Sequence, residues 1–206
     1  MSVRPRAGTV AARMRAVPAG PRGVVRVRPA ASTDRDALTS MFGRCTAETR
    51  YRRFHGPVRA IPERYLAEAL SASPFHYALV ACAAPVADPG TDPARAPAPG
   101  ADLDAGPAPG WGTPAGQIVA LASSRLTGEG VAEVGILVED AWQRHGLGTR
   151  LLDELVAHAR DTGLRVLEAQ FLAEQAWVAG LLRPHGTCRL RSTWSGIMLV
   201  SLRLSA

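Results

Sequence analysis

The sequence contains no lysine and no asparagine, so all 24 of its positive side chains are arginines. Lysine and asparagine codons are rich in A and T, and the absence of both residues indicates a coding sequence of high G+C content. The net charge of +6 is therefore weak evidence for a nucleic-acid ligand. We expect no nucleic-acid partner, although a basic segment at one end keeps that alternative open.

Long apolar runs are also missing, since none approaches the roughly 18 residues that cross a bilayer. The first residues alternate Arg, Pro, Gly and Ala without the compact apolar stretch of a secretory signal. The three cysteines are odd in number and widely spaced, which argues against a disulfide framework. These absences predict a soluble cytoplasmic protein with no membrane partner, either a monomer or a homodimer.

Charge and proline divide the chain unevenly. Residues 1–59 hold 13 arginines against three acidic residues, a net +10, and the remainder is net −4. Residues 1–22 lack apolar periodicity and are predicted to be a disordered basic tail. Eight of the 16 prolines lie between Ala84 and Pro114, which favours a disordered insertion at 84–115. A single domain is expected over 23–206, interrupted by this insertion.

Apolar periodicity in the rest of the chain predicts a mixed α/β (α+β) domain of order β-α-α-β-insertion-β-β-α-β-α-β. One amphipathic helix has its apolar residues on one face and a glycine stop at Gly163. Its apolar residues are Leu151, Leu152, Leu155, Val156 and Ala159. The other helices are expected at about 34–44, 61–72 and 174–182. The strands are expected at 24–28, 76–82, 117–126, 131–138, 165–172 and 197–204.

The segment with the clearest chemistry is the strand 131–138, a glycine turn at 143–148 and the amphipathic helix that follows. This arrangement directs unpaired backbone NH groups and the positive end of a helix dipole at one point, which suits a pyrophosphate. A Walker loop is excluded because it needs a lysine. A Rossmann fingerprint is excluded because Leu151 stands where its third glycine is required.

The turn has the pattern Gln-x-x-Gly-x-Gly, formed by Gln143, Gly146 and Gly148. In this strand-turn-helix setting it resembles the signature of the GNAT superfamily of acyl-CoA-dependent N-acyltransferases, a resemblance that extends over about residues 24–204. It implies a central, mostly antiparallel sheet flanked by helices, with two parallel strands (131–138 and 165–172) splayed around an acetyl-CoA cosubstrate. The implied cofactor-binding residues are Ile136, Leu137, Val138, Arg144, His145, Gly146, Leu147, Gly148 and Thr149.

Acetyl transfer to an ammonium group requires a base, and Glu133 is the candidate. Strand alternation puts Glu133 on the same face as Gly135, whose missing side chain leaves space beside the carboxylate. The alternative is a glutamate on the strand rim paired with an arginine. The context Ala132-Glu133-Val134 resembles that of bacterial GNAT protein-lysine acetyltransferases, where this glutamate is the base.

The stretch from Glu48 to Phe54 also resembles a segment of that subgroup, one that lies next to the acceptor cleft in those enzymes. The alternative for it is a surface helix end with Tyr51 and Phe54 packed inward. The sequence departs from the superfamily in having no tyrosine after the cofactor turn, where many members place a general acid, and in having Gln175 where asparagine is common. The histidines and cysteines lack ligand-like spacing, so no metal is expected.

We therefore expect an acetyl-CoA-dependent N-acetyltransferase acting on a primary amine, either a protein lysine or a small molecule. Two alternatives belong to other classes. One is a non-catalytic acyl-CoA-binding regulatory module, and the other is a nucleic-acid binder that uses the basic segment.

The insertion generates a first prediction. Replacing Val86 to Pro114 by a short Gly/Ser linker should leave the melting temperature nearly unchanged, because no core residue is expected there. Thermal unfolding followed by circular dichroism measures this. A large fall in the melting temperature would show that the segment carries packed structure.

Overall fold

The computed structural model describes residues 15–18, 24–71, 73–83 and 116–205. The predicted insertion at 84–115 lies outside the described residues. So does most of the predicted tail, at 1–14 and 19–22. The tail prediction is wrong for Arg15–Pro18, which form an edge strand paired antiparallel with residues 24–27.

Within the described residues, eight strands form one sheet. They are β1 (Arg15–Pro18), β2 (Val24–Pro29), β3 (His76–Ala83), β4 (Gln117–Gly128), β5 (Val131–Val138), β6 (Val166–Leu172), β7 (Gly186–Trp194) and β8 (Ile197–Leu204). Their order across the sheet is β1-β2-β3-β4-β5-β6-β8-β7. Only β5 and β6 run parallel, and every other neighbouring pair is antiparallel. The predicted fold class is confirmed.

The part of the chain that the structure describes has five α-helices against the sheet, namely α1 (Arg35–Arg44), α2 (Ala47–Phe54), α3 (Glu63–Ala69), α4 (Leu147–Asp161) and α5 (Val178–Leu182). Helices α1 and α3 contribute to a core cluster with Leu121 and Leu137 of the sheet. Helices α4 and α5 contribute to a second cluster with Ala132 and Val134. Alternate residues of β5 thus enter different cores, as strand geometry requires.

Helix α4 forms as its pattern predicts. All five of its predicted apolar residues are buried, and Gly163, at a φ of +76°, follows the last turn. This φ lies in the left-handed region that favours glycine. No helix in the described part of the chain is long and apolar enough to cross a membrane.

Two further elements lay outside the sequence prediction. Helix α2 is short and rich in charge, and it begins where the Thr46 hydroxyl accepts a hydrogen bond from the Thr49 amide. Strand β7 is an edge strand with most of its side chains exposed. Neither element has the apolar alternation by which a buried strand or an amphipathic helix is recognised.

Asp34 precedes α1 in the N-cap position, but its side chain does not cap the helix. Its carboxylate accepts two hydrogen bonds from Arg28, at 2.6 and 2.7 Å, and one from the Ala31 amide at 2.8 Å. Burial opposes ionisation of this carboxyl, but the hydrogen bonds from Arg28 and Ala31 outweigh it and lower the pKa of Asp34. The pair fastens β2 to the start of α1.

Replacing Asp34 by Ala should lower the free energy of unfolding by about 2 kcal/mol, because Arg28 loses a charged partner. Because the pKa of Asp34 is lowered by folding, its contribution is complete above the unfolded pKa of about 3.9 and is lost as the pH falls through the folded value. The difference between wild type and variant should therefore be constant from pH 5 to 8 and shrink at lower pH. Urea unfolding at each pH measures it.

Glu63→Ala is the control, since it removes an exposed ion pair with Arg35. Such pairs contribute about 0 to 1 kcal/mol. Equal losses in the two variants would contradict the role assigned to Asp34.

Candidate active site

The parallel strands β5 and β6 part halfway along their length. Their pairing runs from Val131 opposite Val166 to Val134 opposite Ala169 and ends there. Beyond that point β5 pairs only with β4, and β6 pairs only with β8. The two strands therefore open a notch in the sheet that starts at Gly135.

A cleft of about 270 Å³ occupies this notch. One wall is the end of β5, from Val134 to Val138, and the other includes Ala169 and Phe171 of β6. Gln175 and Trp177 lie at its far side, and 63% of the Trp177 surface is exposed. Apolar groups and free strand edges thus line a channel with room for an extended ligand.

The glycine turn at 143–148 lies beside the cleft, which its residues Gln143, Arg144 and Gly148 line. Arg144 and Gly146 have left-handed backbone conformations, with φ of +61° and +79°, and Gly146 directly precedes α4. This helix has no side-chain cap and no acidic residue in its first turn. The first amides of an α-helix have no partner within the helix, so they and the positive dipole end are available to an anion.

A polar cluster fastens this turn to α2. Asp140 accepts hydrogen bonds from the Thr46 amide at 2.8 Å and from the hydroxyls of Thr46 and Thr49 at 2.8 and 2.7 Å. The Gln143 amide donates to the Thr49 hydroxyl and to the Val138 carbonyl, both at 3.0 Å. Burial opposes ionisation of Asp140, but the bonds from Thr46 and Thr49 prevail and lower its pKa. The motif glutamine therefore fixes the turn through its side chain.

Five of the nine predicted cofactor residues line the cleft. They are Ile136, Leu137, Val138, Arg144 and Gly148. His145, Gly146, Leu147 and Thr149 belong to the same turn and helix start but do not line the cleft, and the Leu147 side chain is buried in the core. A Cβ added at Gly148 would meet no atom within 4 Å. The helix start thus faces open space at this glycine.

A second cavity, of about 360 Å³, meets the cleft at Arg53, Val134 and Gly135. It contains Glu133, the predicted base, together with Glu68 and Tyr65. The Glu133 carboxylate lies 2.7 Å from the Arg125 guanidinium on β4, and 30% of its side chain is exposed. Glu133 is thus paired with an arginine, as the alternative to its role as a base supposes. Its carboxylate nevertheless remains accessible from the cavity.

The space beside Glu133 is not empty, which corrects the expectation for Gly135. The Arg53 guanidinium lies where a Cβ of Gly135 would be. It also stacks on the rings of Phe54 and Tyr65, with its central carbon 5.1 and 4.9 Å from their centres. Arg53 therefore stands between the two cavities and forms part of both walls.

Arg53 was missed as a site residue, as were Thr46, Thr49 and Asp140. Two local features of the sequence could have pointed to these residues. One is a threonine in the N-cap position before 47–54, and the other is the small residue Gly135 inside an apolar strand. Phe54 packs inward against Phe42 and Tyr65, whereas 45% of Tyr51 is exposed, so the alternative of inward packing describes Phe54 and does not describe Tyr51. No cluster of three or more potential metal ligands occurs among residues that the structure describes.

Part of the chain matches a known protein family. Residues 92–186 match the model of the acetyltransferase (GNAT) family. The protein has the GNAT acetyltransferase fold, and the family resemblance predicted from the sequence is confirmed.

Individual proteins are similar to this chain in fold or over part of the sequence. The GNAT domain of S. lividans PAT is 23% identical, with a TM-score of 0.64 over 88% of this chain and 92% of that one. A putative acetyltransferase of Salmonella typhimurium, yncA, solved with its cofactor acetyl-CoA, is 18% identical, with a TM-score of 0.55 over 88% of this chain and 95% of that one. A mycothiol acetyltransferase of Thermobifida fusca (strain YX) is 46% identical over 59 residues, which are 29% of this chain and 17% of that protein.

Proposed function

We propose that the protein transfers an acetyl group from acetyl-CoA to a primary amine. The observation that supports this most directly is the meeting of two cavities at Gly135, one beside an uncapped helix start and the other holding Glu133. Such a junction allows two substrates to enter from different sides and meet at one point.

The cleft fits the cosubstrate in shape and chemistry. The β6-facing edge of β5 beyond Val134 offers backbone groups to an extended amide-containing chain, apart from the Val138 carbonyl, which accepts from Gln143. The amides of Gly148 and Thr149, with the Arg144 side chain, would hold a pyrophosphate at the start of α4. Acetyl-CoA supplies an acetyl group activated as a thioester.

Glu133 is proposed as the base that receives the proton of the acceptor ammonium. An ammonium of pKa about 10.4 must lose a proton before it can attack, which costs about 4.6 kcal/mol at pH 7. The carboxylate acts directly or through one water, and its hydrogen bond to Arg125 holds it in place. Glu68 lines the same cavity, and the hydrogen bond from Arg64 lowers the pKa of its carboxyl.

Gly148→Glu should weaken acetyl-CoA binding by at least about tenfold, because the added carboxylate would repel the pyrophosphate. The fold should persist, since the position faces open space. Gly43→Glu on α1 is the matched control, an identical change on an exposed helix face that also has no atom within 4 Å. Calorimetric titration with acetyl-CoA measures both variants, and unchanged affinity in Gly148→Glu would contradict the cofactor assignment.

Glu133→Gln should lower kcat by about 10² to 10⁴-fold with little change in acetyl-CoA affinity, because the amide keeps the shape but cannot accept the proton. The defect should shrink as the pH rises, since the neutral amine fraction grows. Release of the CoA thiol between pH 6 and 9 measures this, with Glu129→Gln in the exposed β4–β5 turn as the control.

Wild-type turnover in Glu133→Gln at every pH would assign deprotonation to another group. Tight acetyl-CoA binding without turnover of any amine would instead favour the non-catalytic regulatory module.

A further inference from the structure

Three exposed arginines lie together on an open part of the sheet. Arg189 and Arg191 of β7 and Arg203 of β8 line a shallow cavity of about 290 Å³. Arg191 lies at a register shift of β7, between Leu190 and Ser192. None of the three has a carboxylate partner among the described residues. We call this surface the arginine face.

The arginine face lies on the same side of the sheet as Glu133. Pairing across the sheet puts Glu133 opposite Glu168 on β6, Glu168 opposite Ser201 on β8, and Ser201 opposite Arg189 on β7. Residues opposite each other in neighbouring strands point to the same face. One row of side chains therefore leads from the candidate base to the arginines.

The row has a sign change along it. Glu168 adds a carboxylate beside Glu133, which is itself paired with Arg125, and the arginines put positive charge on the outer strands. Glu168 also lines the cavity of the arginine face, at its inner side. Three strand spacings of about 4.8 Å separate β5 from β7, a total of about 14 Å. An extended polypeptide covers that distance in about four residues.

We propose that the acceptor is a polypeptide with acidic side chains about four residues before or after its target lysine, and that these side chains bind the arginine face. This proposal rests on the proposed function. The lysine ammonium is attracted to the two glutamates, and the acidic side chains pair with Arg189, Arg191 and Arg203. A small amine bound at Glu133 would be too short to reach these arginines. A nucleic acid would offer no alkyl amine, and its phosphates would lie beside the carboxylate of Glu168, which repels them.

The test uses the full chain and short peptides that each contain one lysine. One peptide carries Asp or Glu three to five positions from the lysine, on either side, and its partner carries Asn or Gln there. The wild type should show a kcat/KM about tenfold higher for the acidic peptide, mainly through KM, and added salt should reduce the preference. Fluorescence anisotropy of the labelled peptides gives a binding readout that needs no turnover.

Arg189→Glu should lower kcat/KM for the acidic peptide about tenfold and raise it for a peptide with Arg at the same positions. The matched control is Arg59→Glu, which reverses one exposed arginine that does not line the arginine face. Both variants should keep wild-type acetyl-CoA affinity and wild-type turnover of a short free amine.

The outcomes separate this proposal from the proposed function. Loss of turnover with every amine, while the acidic peptide still binds preferentially, would overturn the proposed function alone. Equal affinity and equal rates for acidic and amide peptides would overturn the acidic-acceptor proposal alone. An equal effect of Arg59→Glu would also overturn it. So would binding of an oligonucleotide that Arg189→Glu abolishes, if the wild type shows no preference between the two peptides.

Discussion

The end of the β5–β6 ladder at Val134 and Ala169 is the constraint on which the site depends. A continuous parallel ladder would satisfy the strand edges with each other and leave no notch. Because the strands part at Gly135, backbone groups on the β6-facing edge of β5 are not paired with β6. The gap between the strands also connects the two faces of the sheet. The cofactor turn then only has to direct a helix start at this gap.

Helix α2 keeps the gap open from one side. Its N-cap threonine and Thr49 bind Asp140, three residues before the turn, and Arg53 at its other end lies over Gly135. The polar bonds join residues more than 90 positions apart. A shift of α2 would therefore move the turn and the wall between the two cavities together, since both are attached to the same eight residues.

The sequence predicted the parts of the site whose signals are local. The strand-turn-helix from Val131 to Asp161 has alternation, glycine positions and helical periodicity within 31 consecutive residues. Helix α2 lacked such a signal because it has few apolar residues, and β7 lacked it because exposed strands are not constrained to alternate. Arg53 could not be placed, because its contact with Gly135 joins segments that only the folded sheet brings together.

Register connects the core to the charges at the surface. Leu167 and Ala169 of β6 enter the α4 core, which turns Glu168 to the opposite face beside Glu133. A slip of β6 by one residue would bury Glu168 in an apolar core and expose the two apolar residues. The free energy that fixes the core packing therefore also fixes the row of charged side chains from Glu133 to Arg189, and this row needs no contacts of its own to hold it in place.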